Sequence, residues 1–109
     1  MESRVNSDIL RIAETISQAI PAEKIYLFGS YAYGQPHKDS DYDFYVIIPD
    51  GSMRPIEAMQ KAQRSLNKDR PTVAIDILAG TTSNFSRMRH LVNTIEKEVD
   101  QKGVLVYAR

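Results

Sequence analysis

Leu27-Phe28-Gly29-Ser30-Tyr31-Ala32-Tyr33-Gly34, followed by Ser40-Asp41-Tyr42-Asp43-Phe44-Tyr45-Val46, is the stretch whose reading decides the fold. In its first half an apolar run, Ile25 to Phe28, reads as a buried strand that stops at Gly29. Ser30 then opens a short helix that Gly34 closes. A glycine lets an anion approach the backbone, and a helix start offers unpaired N–H groups, so Gly29 and Ser30 are a candidate phosphate cradle. On its own a Gly-Ser pair is more often an ordinary helix cap. In the second half Asp41 and Asp43 stand at the head of a strand, Tyr42 to Ile48, rich in aromatic and β-branched residues. Alternation along a strand puts both carboxylates on one face, ~6.6 Å apart, a spacing that suits a hard cation. On its own this pair is more often solvated at a strand edge.

Working outward, a third acid adds weight to the pair. Asp76 interrupts the apolar run Val73-Ala74-Ile75-Asp76-Ile77-Leu78 of a strand read as Thr72 to Leu78. It is either a salt-bridge partner for a basic residue or a carboxylate placed beside Asp41 and Asp43 on a neighbouring strand. In the second case the three acids could share two divalent ions, as in two-metal phosphoryl-transfer sites. Around this centre lie helical stripes. One runs from Val5 to Ile20, with Asn6 or Ser7 as its cap and Pro21 as its stop. A second covers Pro55 to Leu66 with the stripe Ile56, Met59, Ala62 and Leu66, and a third covers Phe85 to Val99 with Met88, Leu91, Val92 and Ile95 between. Val104 to Tyr107 reads as a last strand after Gly103. Helices and strands alternate, which suggests a parallel sheet, but the helix after Gly29 is too short for a parallel crossover of about ten residues. Periodicity therefore leaves the topology open.

Taken together, Gly29-Ser30, Ala32, Gly34 and Ser40-Asp41-x-Asp43 with Val46 resemble the pattern of minimal nucleotidyltransferases (MNT-type) of the DNA polymerase beta superfamily. Asp76 is similar to that family's third acid, and Phe44 stands where the family often has Leu or Ile. The resemblance implies an α+β fold over residues 1–109: a small mixed β-sheet with helices packed on one face. It implies Mg²⁺, in a two-ion arrangement, held by Asp41, Asp43 and Asp76, with all three acids catalytic and Gly29 and Ser30 binding the nucleotide. ATP is the implied donor of a nucleotidyl group. Larger relatives, such as aminoglycoside nucleotidyltransferases, carry an extra helical domain for the acceptor, for which this length leaves no room. The acceptor is then expected on another protein, a second copy of the chain, or an RNA. Minimal members pair with a small helical HEPN-type protein as the antitoxin of a toxin–antitoxin system, and can transfer AMP to a tyrosine of that partner. A second reading is a binding module that sequesters such a partner with little or no turnover.

Composition narrows the alternatives. Basic and acidic residues balance at 14 each, which argues against a grip on nucleic acid through phosphates alone. There is no cysteine, so disulfides and thiolate metal sites are impossible. The N-terminus has no apolar signal core and no apolar run is long enough to span a bilayer, so a cytoplasmic protein is expected. Tyr31, Tyr33, Tyr42 and Tyr45 crowd the motif, with packing the commoner role and stacking on a base the rarer one. His37, His90, Arg87 and Arg89 read as surface residues. Arg64, Lys68 and Arg70 are candidates for a triphosphate clamp or for a partner of Asp76.

Overall fold

A computed structural model describes residues 6–36, 41–67 and 73–109. Val5, His37, Ser40, Lys68, Arg70 and Thr72, to which the sequence reading gave places, lie outside the described residues. Helix α1 (Ser7–Ala19) starts where the Asn6 side chain accepts from the Ile9 amide. It ends at Ile20, which is extended, as a residue before proline tends to be. Strand β1 (Lys24–Phe28) leads through Gly29 into α2 (Ser30–Tyr33), and β2 (Tyr42–Ile48) follows. Then come α3 (Pro55–Leu66), β3 (Ile75–Thr81), α4 (Thr82–Met88), α5 (Ile95–Lys102) and β4 (Val104–Ala108).

The four strands form one mixed sheet in the order β3-β2-β1-β4. β1 runs antiparallel to both β2 and β4; between β1 and β2 the single turn of α2 is too short to carry the chain back to the other end of the sheet. β2 and β3 are parallel, and α3 makes the crossover between them. The mixed sheet of the nucleotidyltransferase resemblance is what is found, rather than a parallel Rossmann sheet.

Alternation along β2 divides the molecule in two. Phe44, Val46 and Ile48 face one way, into a core with Ile9, Ile12 and Ile16 of α1 and Ala58, Ala62 and Leu66 of α3. Asp43, Tyr45 and Ile47 face the other way. Tyr45 and Ile47 there form a smaller cluster with Phe28, Phe85 of α4 and Val99 of α5. The long helices share one face as expected, and the two short ones add a partial cover over the other. Among the described residues no helix is long and apolar enough to cross a membrane.

Three expectations need correction. The single helix read over Phe85 to Val99 is two helices: Asn93 takes a positive φ of 66°, and Thr94 caps α5 by accepting from the Lys97 amide. Leu91 and Val92, read as part of a buried stripe, are exposed in the turn between them. β3, read as Thr72 to Leu78, begins at Ile75 with Val73 and Ala74 ahead of it, and runs past Gly80 to Thr81, since its parallel register with β2 extends from Tyr42–Ile75 to Ile48–Thr81. In α3 the buried positions are Ala58, Ala62 and Leu66, while Ile56 is half exposed and Met59 is only partly covered.

Candidate active site

The site forms where β1, β2 and β3 end side by side. Phe28 pairs with Asp43 across the antiparallel ladder, and Asp43 pairs with Asp76 across the parallel one. Asp41 lies two residues before Asp43, just ahead of β2. Backbone register, set by the apolar strands behind it, therefore brings the Gly29 turn and the predicted acids onto one edge of the molecule.

Gly29 adopts φ +76°, where a side chain is strained, and a Cβ built on it would fall onto the Asp43 Oδ2 atom. The turn backbone thus abuts the carboxylate because the residue is glycine. From Gly29 the carbonyl oxygen accepts from the Ala32 amide at 3.0 Å and the Tyr33 amide at 3.1 Å, closing α2. Ser30 is the first residue of that helix.

The acids repel one another. Asp43 is pushed up from 3.8 to about 6, by burial first, then by the charge of Asp76, then by that of Asp41. Asp76 is raised as well, by burial and then by hydrogen bonding and charge from Asp41. Asp76 is exposed, and no basic side chain among the described residues forms an ion pair with any of the three acids. Crowded carboxylates with no paired cation among the described residues are a donor set for a hard cation. They are not drawn into a closed cage: no group of three potential ligands is already gathered around one point among the described residues. Beside Asp43 and Asp76 opens a cleft of about 830 Å³, walled by Phe28, Leu78 and Ile77 and by Ile56, Met59, Gln60, Gln63 and Arg64 of α3. The apolar residues of α3 that are missing from the core are therefore at this cleft.

Sequence reasoning missed two residues that shape the site, Glu96 and Glu98. The Tyr45 hydroxyl, in a side chain 1% exposed, donates to Glu96 Oε2 at 2.8 Å. The Tyr33 hydroxyl donates to Glu98; burial first, and then this bond, push the phenol up to about 12. The partners lie 51 and 65 residues apart, so no local pattern could have linked them. Tyr42 and Tyr45 are core residues, and Tyr31 packs edge-on to Tyr42 with ring centroids 4.6 Å apart. Arg89 pairs with Asp100, Arg87 bonds to Asn84, and His90 is exposed, all as expected of surface residues.

The family described as "Polymerase beta, Nucleotidyltransferase" matches residues 11–109. The chain belongs to that family. No curated protein matches its sequence. Solved structures share the fold of this nucleotidyltransferase. One, a toxin–antitoxin crystal structure with AMP-PNP, is 23% identical, with a TM-score of 0.61 over 96% of this chain and 75% of that one. A mutant MntA–HpeT toxin–antitoxin is 22% identical, with a TM-score of 0.60 and the same coverage. A candidate nucleotidyltransferase from Sulfolobus solfataricus is 22% identical, with a TM-score of 0.62 over 92% of this chain and 77% of that one.

Proposed function

We propose that this nucleotidyltransferase moves AMP from ATP to a hydroxyl on a partner protein, with Mg²⁺ held by Asp41, Asp43 and Asp76. The observation that carries the reading is the register Phe28–Asp43–Asp76, which lines up a glycine turn and two acids across three strands. Bound at these acids, Mg²⁺ would neutralise triphosphate charge and make the attacking hydroxyl more acidic.

The chain's own residues would divide the remaining work by position. Gly29 and Ser30 hold the β- and γ-phosphates at the end of β1, so the pyrophosphate leaves on that side. In-line displacement then brings the acceptor from the opposite side, where β3 and the cleft lie. Asp76 would accept the hydroxyl proton there, a role that its exposure and raised pKa support. Among the described residues that line the cleft, the surface is largely apolar and Arg64 is the one basic side chain. An RNA acceptor would call for several cations, so this lining favours a hydroxyl on a protein side chain.

Two toxin–antitoxin structures among the structural relatives, one of them with AMP-PNP, support ATP as donor and an antitoxin role beside a small helical HEPN-type partner. The binding-module reading has one observation in its favour, the exposed apolar pair Leu91 and Val92, a surface on which a partner could be held without chemistry.

Incubation with ATP labelled in its α-phosphate, Mg²⁺ and host lysate separates the two. Label transferred to a protein band by wild type, but not by Asp41→Asn or Asp43→Asn, supports the enzyme. ATP bound by the wild type with no label on any protein or RNA would favour the binding module. Met59→Lys tests the acceptor side: it should leave ATP affinity unchanged and reduce transfer.

A further inference from the structure

We infer that Glu98 is a positioning residue: by holding the Tyr33 hydroxyl from α5, it fixes the Gly29–Ser30 turn against Asp43. The inference rests on the reading of that turn as the triphosphate site. Tyr33 is the last residue of α2, whose four residues give the turn little rigidity of their own. Its hydroxyl donates to Glu98, and Lys102, one helical turn further along α5, lies 5.6 Å from the centre of its ring. One end of α2 is thus pinned by two side chains of a separate helix, while its other end meets the Asp43 carboxylate through Gly29.

α5 is itself firmly seated. Val99 is fully buried, Thr94 caps the first turn, Arg89 reaches Asp100 at 3.4 Å, and Glu96 holds the Tyr45 hydroxyl. Tyr45 lies two residues beyond Asp43 on the same face of β2. The same helix therefore grips both the strand that carries the acid and the helix that follows the turn. The β1–β2 register brings turn and acid together, and α5 holds α2, and with it the turn, in place against that acid.

Charge and position predict opposite signs for Glu98. A carboxylate close enough to raise Asp43 also repels a triphosphate. If charge were its only effect, Glu98→Ala and Glu98→Gln would both tighten ATP binding. If it positions the turn, Glu98→Gln keeps an oxygen to accept from Tyr33 and binds nearly as the wild type does, while Glu98→Ala binds about tenfold more weakly.

The test uses the full-length chain, with ATP and Mg²⁺ as probe, and has two readouts. The first is ATP affinity, with KM and kcat wherever transfer is measurable: the loss should fall on Kd and KM. The second is hydrogen exchange of the Ala32, Tyr33 and Gly34 amides without nucleotide or metal, which should quicken about tenfold in Glu98→Ala and Tyr33→Phe and stay slow in Glu98→Gln. The double variant Tyr33→Phe/Glu98→Ala should lose no more than either single one. Tighter ATP binding in both Glu98 variants, or unchanged exchange in Glu98→Ala, would overturn the assignment. A wild type that binds no triphosphate would defeat the reading of the site, and exchange alone would then decide whether the clamp exists.

Discussion

Replacing Asp76 by Asn tests the site most directly, because removing an acid has opposite consequences in a site that gathers a cation and in one that is neutralised by the protein. A buried salt-bridge partner would be missed by about 3–5 kcal/mol, a fall in melting temperature well above ten degrees for a domain of this size. In this structure Asp76 is exposed and has no basic partner among the described residues, and its charge is the second cause of the raised pKa of Asp43. Asp43 is only partly buried, so after solvent screening its shift from 3.8 to about 6 is worth about 1 kcal/mol. Burial is the largest cause, and Asp41 and Glu98 contribute beside Asp76, so no more than about 0.5 kcal/mol is recovered when Asp76 loses its charge. The metal-free variant should therefore melt about 2 °C above the wild type at pH ~8, where both acids are ionised. Adding Mg²⁺ should raise the wild-type midpoint more than the variant's, as binding linkage requires. Nucleotidyl transfer should fall by about 10²–10⁴, the usual worth of a general base. Circular dichroism melts with chelator and with Mg²⁺, beside a labelled-ATP assay, measure all three. A variant that melts far below the wild type, yet transfers at the wild-type rate in its folded fraction, would refute the catalytic role.

Gly29→Ala should cost about 1–3 kcal/mol, since φ is +76° and the new methyl meets the Asp43 carboxylate; ATP affinity should fall in the folded protein, and unchanged affinity would count against the cradle. Gly80→Ala should cost about 1–3 kcal/mol because its Cβ would land on the buried Tyr45 hydroxyl, and adding Tyr45→Phe should recover part of the loss in urea melts. The pH dependence follows from Asp43. Between 3.8 and about 6 the folded chain keeps a proton that the unfolded chain has released, so this group's contribution is largest at low pH and is lost as pH rises through that window. Asp50, lowered by its bonds to Ser83, acts in the opposite sense at the acid end. The stability difference between wild type and Asp43→Asn isolates the effect: across that window the wild type should lose about 1 kcal/mol relative to the variant.

Much of this was legible in the sequence because it is local. Gly29, Ser30, Asp41 and Asp43 lie within a short segment, and strand alternation alone puts the two acids on one face. The mixed topology needed the family resemblance, since periodicity cannot tell which way a strand runs; the shortness of α2 was the one physical hint. The break at Asn93 and Thr94 escaped because an apolar stripe at helical spacing passes across it, although an Asn that tolerates positive φ and a Thr that can cap were both in view. The α3 stripe misled in an informative way. Ile56 and Met59 continue the apolar period of Ala62 and Leu66, but they border the cleft instead of entering the core. The pairings of Tyr33 with Glu98 and of Tyr45 with Glu96 join distant parts of the chain and become visible only in three dimensions.

The place of β3 at the margin of the sheet has a consequence for how the protein behaves in a crowded solution. Its outer edge is not paired with another strand among the described residues, and the run Val73-Ala74-Ile75-Asp76-Ile77-Leu78, which leads into β3 and supplies its first four residues, would be an adhesive hexapeptide but for one charge. Asp76 supplies that charge, and from an exposed position it repels the same edge of a second molecule. The acid proposed to take a proton from the acceptor thus also keeps neighbouring copies from zipping together. Loss of Asp76 in an inactive descendant would then be expected to appear with a second change that shields or charges this edge, because the residue's solubility role would outlast the chemistry.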